Sequence, residues 1–478
     1  MLIDERDRRV SFAGFRARAE RVAAGLHRLG IGAGTPVTWQ LPTRIESVLL
    51  SMALARLGAV QNPILPIYRE REVGAVLRET GARWLIVPGV LRGFDHLALA
   101  HRLRSAGGKR FEILNADEPL PEGDPAALPP APSDPHAVRW IYSTSGTTAA
   151  PKCVRHSDAT LIAGGTGLAL ALAASERDVG SIAFPYTHIG GPDYLVMMLR
   201  CGMSAVLLES FVPEQAVALF RRHGVTLSGG STAFYQAFLA EQRKQPGAKL
   251  LPSLRALAGG GAPKPAELFW QVRRELGVPI LHGYGMTECP MIASGSPSDR
   301  DEQLAETDGK PVAGCELRVV DGEIRVRGPM LCLGYTDPAL TAAAFDADGF
   351  FRTGDLGFLR PDGHVVLTGR SKELIIRKGE NLSPREIEDL LASHPSVAAV
   401  AVIGLPDAER GERVCAVVET RPGAAPLGFA EMQAFCREAG LMAQKIPEQL
   451  EVVEALPRNA TLKILKHELR ERFAKAEK

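Results

Sequence analysis

Through roughly the first 280 residues of this chain, short apolar runs alternate with stretches whose apolar side chains recur at three and four positions. That alternation narrows the fold more than any other feature. Residues 37–41, 60–65, 84–87, 138–141, 181–184, 205–208, 225–227 and 254–258 read as strands. Between them lie helical patterns: Phe12, Phe15, Ala19, Val22, Leu26 and Leu29, with Ser11 as N-cap and Gly30 closing the run, and a second pattern over 46–57. Strands separated by helices predict a doubly wound α/β architecture, with parallel sheets covered on both faces. A chain of 478 residues also exceeds one ordinary core, so two or three domains are expected.

The period changes twice. Around Val319, Val320, Asp321, Gly322, Glu323 and Ile324 it falls to two, and Asp-Gly between alternating apolar residues predicts a hairpin in a small antiparallel β subdomain at about 311–369. Beyond Arg370, Ser383-Pro384-x-Glu386 reads as a capping box opening a helix, strands follow at 397–403 and 414–418, and a last helix covers 465–473. The expected division is a large N-terminal domain over 1–369 and a small, mobile α+β C-terminal domain over 370–478. Residues 116–136, rich in Pro, Asp and Glu, read as an exposed connector.

Charge excludes some partners. Lys plus Arg number 56 against 55 Asp plus Glu, so no global field draws in nucleic acid or an anionic membrane, and a small molecule is the expected partner. The seven cysteines are scattered, with no C-x-x-C pair to suggest a disulfide framework or a zinc site. The N-terminus is too charged to begin a signal peptide. The most apolar stretch, 159–174, falls short of the ~18 residues of a membrane span and contains Gly164, Gly165 and Gly167. These features fit a cytoplasmic enzyme and leave a homodimer open.

Five stretches carry candidate chemistry. Residues 142–154, Y-S-T-S-G-T-T-A-A-P-K-C-V, follow a strand and offer hydroxyls from Ser143, Thr144, Ser145, Thr147 and Thr148, a turn at Gly146 and an ammonium from Lys152. Such a loop is equally a polyphosphate cradle or a polar surface turn. Pro151 and Cys153 exclude a close match to the Walker loop. Residues 184–191, F-P-Y-T-H-I-G-G, put His188 between a strand end and a helix, where ligands collect, although a lone histidine there is more often structural. Residues 258–263, A-G-G-G-A-P, are a tight turn or a bare backbone surface for a planar ligand. Residues 282–288 read H-G-Y-G-M-T-E, and 351–357 read F-R-T-G-D-L-G.

The run at 142–154 resembles the T-S-G-[ST]-T-G-x-P-K-G signature of the adenylate-forming superfamily, which comprises acyl-CoA synthetases, luciferases and peptide-synthetase adenylation domains. Ala149 and Cys153 stand where that signature has glycine. If either glycine takes positive φ, a Cβ there costs about 1–2 kcal/mol and strains or reshapes the loop. The other stretches resemble family elements in family order, as do 369–388, G-R-S-K-E-L-I-I-R-K-G-E-N-L-S-P-R-E-I-E, and 457–466, P-R-N-A-T-L-K-I-L-K. The resemblance therefore covers nearly the whole chain.

The resemblance implies an ATP-dependent carboxylate–CoA ligase using ATP, Mg²⁺ and CoA. It implies that Thr144, Ser145, Gly146, Thr147, Thr148 and Lys152 hold phosphates. Gly260, Gly261, Ala262, Gly283, Tyr284 and Gly285 would line the adenine and acyl sites. Thr287 would reach the α-phosphate, and Glu288 with Thr144 would hold the metal. His188 would border the acyl and phosphate sites. Asp355 would take the ribose hydroxyls, and Arg370 the ribose or a phosphate. Lys372 would be the hinge, with Gly379, Glu380 and Asn381 facing the nucleotide in the thioester step. Lys463 would be the catalytic lysine, with Lys466 its rival and Leu462 replacing a glycine. Transfer to a carrier protein in trans is the nearest alternative, and a non-catalytic nucleotide-binding regulator is one of another class. Small residues at 228–231 leave acyl volume, which suggests a medium-chain, alicyclic or aromatic acid. Cys153 beside Lys152 is either a small filler or a redox-sensitive thiol.

Overall fold

The computed structural model describes residues 1–106, 111–144, 152–378, 380–407, 409–459 and 462–474. Its first helix, Phe12–Arg28, begins as expected: Ser11 is extended, and its hydroxyl accepts from the Gly14 amide at 3.1 Å. Two sheets dominate the large domain. The first contains nine strands, among them Leu2–Asp4, Val179–Ile182, Ser204–Leu207, Leu227–Gly229, Ala256–Gly260, Ile280–Met286 and Cys289–Ser294. Of the second sheet's six strands, Val60–Pro63 and Pro36–Trp39 lie at the centre, beside Val138–Thr144.

Neither sheet is purely parallel. Most strands that follow helices pair in parallel, but Lys310–Pro311 runs antiparallel to Cys289–Ser294, which itself turns back on Ile280–Met286, and Lys152–Ser157 turns back on Val138–Thr144. Three strands also lie two residues from their expected positions: Val179–Ile182, Leu227–Gly229 and Ala256–Gly260. The strands run through Gly180, Gly229, Gly259 and Gly260, which propensity reads as breaks. Gly180 is needed because the Tyr194 hydroxyl lies 1.9 Å from where its Cβ would be.

The antiparallel subdomain is formed by Glu316–Val320, Glu323–Arg327, Phe351–Leu359 and Val365–Arg370. Asp321 (φ 52°) and Gly322 (φ 78°) make the expected tight turn with both central residues left-handed. In the small domain, the long pair Val397–Asp407 and Gly411–Thr420 is covered on both faces. Val400 and Val402 pack with Ile387, Leu391 and Met432 on one side, while Ala401 and Ile403 pack with Leu469 and Phe473 on the other. That is period-two alternation used twice.

Ser383 does precede the helix Pro384–Leu391, but it makes no cap bond. Its hydroxyl donates to the Thr368 carbonyl of the subdomain instead, and Glu386 pairs with Lys445 at 2.6 Å. A long-range partner has displaced the local one. No described helix is long and apolar enough to cross a membrane.

The connector at 116–136 is more than an exposed tether. Gly123 donates to the Arg21 carbonyl at 2.9 Å, and a Cβ on Gly25 would fall 2.1 Å from the Pro121 carbonyl oxygen. Gly→Ala within a helix normally gains about 1 kcal/mol, but here the obstacle is backbone, which cannot swing away. Gly25→Ala is therefore expected to destabilise the protein by about 1–3 kcal/mol, the range for overpacking, in urea unfolding followed by tryptophan fluorescence. A raised midpoint would contradict this packing.

Candidate active site

The parallel strands Leu227–Gly229, Ala256–Gly260 and Ile280–Met286 deliver their carboxyl ends to one edge of the nine-stranded sheet. There the large domain, the antiparallel subdomain and the small domain enclose a cleft of about 1770 Å³. Glycines terminate the strands because neighbouring backbones leave no room. A Cβ on Gly260 would fall 1.8 Å from the Gly283 oxygen, one on Gly259 1.9 Å from Gly230, and one on Gly285 2.2 Å from Pro290. Gly261 differs: it is left-handed at φ 83° with open space beyond it. Gly260, Gly261, Ala262, Gly283, Tyr284 and Gly285 all line the cleft.

Asp355 is buried at one end, with each oxygen engaged: Tyr284 donates to Oδ2 at 2.7 Å, and Arg370 Nε pairs with Oδ1 at 2.7 Å. Glu288 is also buried, and the Tyr335 hydroxyl donates to its Oε1 at 2.7 Å. The Lys152 ammonium stands 5.5 Å from the centre of the Tyr335 ring, and the Thr144 hydroxyl lies 3.5 Å from the Lys152 carbonyl. Thr287 is steadied from behind. Its carbonyl accepts from His156 Nε2 at 2.8 Å, and Nδ1 of that ring lies 2.9 Å from Thr160 Oγ1. Burial pushes His156 down to about 4, so the ring is neutral at pH 7.

His188 faces the cleft just before the helix Gly190–Cys201, and its Nδ1 accepts from the Gly190 amide at 3.3 Å. The ring is open to water in the cleft yet enclosed by protein at depth. That enclosure first, and the Lys463 charge second, lower its pKa to about 4. Lys463 therefore reaches inside the cleft. Its own pKa is lowered, by burial first and by Arg370 second, against the pull of Glu373 and Asp355. Among the described residues its ammonium makes no hydrogen bond or ion pair. The rival, Lys466, is fully engaged, 2.7 Å from Glu388 and 3.4 Å from Glu373. Leu462 sits at φ 63°, left-handed where the resemblance has glycine, and packs against the large domain's core. For a residue with a Cβ that conformation costs about 1–2 kcal/mol.

Lys372 lies in the turn Ser371–Glu373 and also lines the cleft. Glu380 and Asn381 do not: they form a hairpin strand with Ile375–Arg377 outside it. Ser145, Gly146, Thr147, Thr148 and Gly379 lie outside the described residues. Sequence reasoning missed Tyr335, His156 and Glu373, whose roles depend on partners at least 47 residues away or on a neighbouring domain. The redox reading of Cys153 is overturned. Burial pushes its thiol up to about 11, and strand alternation sends the Lys152 side chain to the other face.

Among the described residues no three His, Cys, Asp or Glu side chains could by themselves hold a metal ion. A Mg²⁺–nucleotide site needs only one or two carboxylates, because water and phosphate supply the other ligands. Glu288 fits that need, since only its Oε1 is hydrogen-bonded among the described residues.

Residues 1–336 match the model of the AMP-binding enzyme family, and 386–463 match the AMP-binding enzyme C-terminal domain. A salicyl-AMP ligase / salicyl-S-ArCP synthetase of Mycobacterium tuberculosis is 32% identical, over 94% of this chain and 82% of that protein. A 2-succinylbenzoate–CoA ligase of Geobacillus kaustophilus is 34% identical, over 95% and 91%. The structure of o-succinylbenzoate coenzyme A synthetase from Bacillus subtilis, in complex with ATP and magnesium ion, superposes with a TM-score of 0.84 at 30% identity, covering 98% of this chain and 96% of that one.

With Cys153 only 2% exposed and its thiol protonated, iodoacetamide at pH 7.5 is expected to leave it unlabelled in the folded protein and to label it in urea. Peptide mass spectrometry distinguishes the two. Labelling in the native state would show that the strand opens.

Proposed function

This chain belongs to the adenylate-forming superfamily of AMP-binding enzymes, and we propose that within it the protein is an ATP-dependent carboxylate–CoA ligase. One observation carries the adenylating step: the Lys463 ammonium, unpaired among the described residues, lies in the same cleft as His188, Asp355 and Arg370. In the first half-reaction the substrate carboxylate attacks the α-phosphorus of ATP in line, forming acyl adenylate and releasing pyrophosphate. Lys463 and Lys152 neutralise the charge that gathers on the oxygens, and the Thr287 hydroxyl donates to it. The ribose hydroxyls compete for Asp355 with Tyr284 and Arg370, while His188, neutral at pH 7, borders the carboxylate. Mg²⁺ held by Glu288 and Thr144 would supply charge neutralisation at the phosphates.

In the second half-reaction residues 370–478 turn about Lys372, which withdraws Lys463 and brings Gly379, Glu380 and Asn381 to the nucleotide. The pantetheine thiol then attacks the acyl carbon and AMP leaves. The position of Glu380 and Asn381 outside the cleft suits an arrangement poised for the first step. Ser228, Gly229, Gly230 and Ser231 line the cleft with small side chains, which supports a medium-chain, alicyclic or aromatic acid over acetate. Seven cysteines without a disulfide suit a reducing cytoplasm. Loading a carrier protein in trans is the second reading, favoured by the aryl-carrier synthetase among the relatives. Pyrophosphate release with a panel of acids, followed by product analysis with CoA and with a phosphopantetheinyl carrier, decides between acceptors.

Lys463→Ala is expected to lower adenylate formation by about 10²–10³-fold, the scale on which transition-state charge stabilisation acts, and to spare thioester formation from supplied acyl adenylate. Equal loss in both steps would refute its assignment to the first.

Proline fixes φ near −65° and removes the amide hydrogen, so Lys372→Pro is expected to hold one orientation. Single-turnover pyrophosphate release should stay near the parent rate while thioester formation falls by orders of magnitude. A normal thioester rate would eliminate Lys372 as the pivot.

A further inference from the structure

Lys463 lies beside a short antiparallel bridge between Arg458 and Ile464, and the Leu465 amide donates to the Pro457 carbonyl at 2.8 Å. Asn459 binds the lysine and the residue before it together. Its carbonyl accepts from the Leu462 amide at 2.9 Å, its Oδ1 accepts from the Lys463 amide at 2.9 Å, and its own amide donates to the Lys463 carbonyl at 2.9 Å. Arg458 Nη1 donates to the Leu462 carbonyl at 3.1 Å. The backbones of Leu462 and Lys463 therefore move as one piece.

Their side chains face different demands. Lys463 reaches into the cleft on a flexible stem, and among the described residues no hydrogen bond or ion pair holds its ammonium there, so it takes its place from its backbone. Leu462 is half-buried and packs with the large domain's core. It belongs to neither apolar cluster of the small domain, whereas Ile464, two residues on, packs with the cluster that contains Leu456, Leu469 and Phe473. At φ 63° a leucine is disfavoured, while glycine would take the same angle freely. The small domain's own packing thus gives no reason for this side chain. A seat on the other domain does, because the apolar area it withdraws from water offsets the backbone cost only while the two domains are docked.

We infer that Leu462 is a positioning residue: seated on the large domain's core, its side chain fixes the adjoining backbone and thereby holds the Lys463 ammonium in the cleft for the adenylating step. This rests on the ligase reading above. The contact is made one residue from the lysine, so any slack in the rest of the small domain is removed where it matters for charge stabilisation. In the thioester step the seat is vacated, and the side chain has nothing to contribute.

The test compares single-turnover pyrophosphate release, with ATP and the best acid of the panel, against thioester formation from supplied acyl adenylate in Leu462→Ala, Leu462→Gly and Leu462→Met. Ala and Gly should each slow the first step about tenfold at saturating ATP and acid, as misplacement of a reacting group does. Half-saturating concentrations should stay within about twofold of the parent, the pattern of an interaction made in the transition state. The second step should keep its rate. Met, an unbranched residue that refills such a seat, should retain most of the first rate. A water-soluble amine-acylating reagent, read by peptide mass spectrometry, should label Lys463 several-fold faster in the Ala and Gly variants, while Lys466, ion-paired to Glu388 and Glu373, keeps its parent rate. An unchanged first step, equal loss in both steps, Gly active where Ala is not, Met no better than Ala, or unchanged Lys463 labelling overturns this inference and leaves the ligase reading standing. No pyrophosphate from any acid with the parent protein overturns the ligase reading and this inference with it.

Discussion

A parallel sheet ends its strands at one edge, and the whole site descends from that constraint. Leu227–Gly229, Ala256–Gly260 and Ile280–Met286 each rise through the core and stop together. Their last residues therefore meet at one cleft without any loop having to reach for it. The antiparallel subdomain then brings Asp355 against Tyr284 from the opposite side, and the small domain closes above. Side chains separated by hundreds of residues become neighbours through topology alone.

What the small domain contributes is held by charge. Lys466 bridges Glu388 and Glu373, and Glu388 also accepts from the Val402 amide at 2.7 Å. The helix Pro384–Leu391, the strand Val397–Asp407 and the turn beside Lys372 are thereby tied to the segment that carries Lys463. Breaking such a pair from one side typically costs about 3–5 kcal/mol where it is buried. Lys463, three residues earlier, has no such tie among the described residues, so one lysine is a fastener and the other is left for the cleft. Across the domain seam Leu462 packs on the large domain's core, and Arg385 approaches Asp308 at 3.6 Å, near Lys264, whose pKa burial lowers to about 8.

Most of this was legible wherever the signal was local. The first helix with its Ser11 cap, the Asp321-Gly322 turn and the last helix follow from neighbouring residues, and the structure agrees. Reading failed where tertiary contacts decide. Ser383 left its expected cap for Thr368, three strands shifted through glycines, and the antiparallel returns of Cys289–Ser294 and Lys152–Ser157 had no local mark. In the site, Tyr284, Glu288 and Asp355 stand out in the sequence, but Tyr335 does not, because a tyrosine shows its use only beside the carboxylate it serves. The choice between filler and redox thiol at Cys153 needed the structure for a similar reason: adjacency to Lys152 along the chain is opposition across a strand.

The glycines at the strand ends have an evolutionary consequence. Gly259 and Gly260 are each forbidden a side chain by a neighbouring backbone carbonyl, of Gly230 at 1.9 Å and of Gly283 at 1.8 Å. Selection for folding alone is enough to keep them. A descendant that lost its substrate and its chemistry would still carry Gly259 and Gly260, while Lys463 would be free to drift. In this architecture that glycine pair is an heirloom of the sheet, and lineages that still work are distinguished by their charged residues.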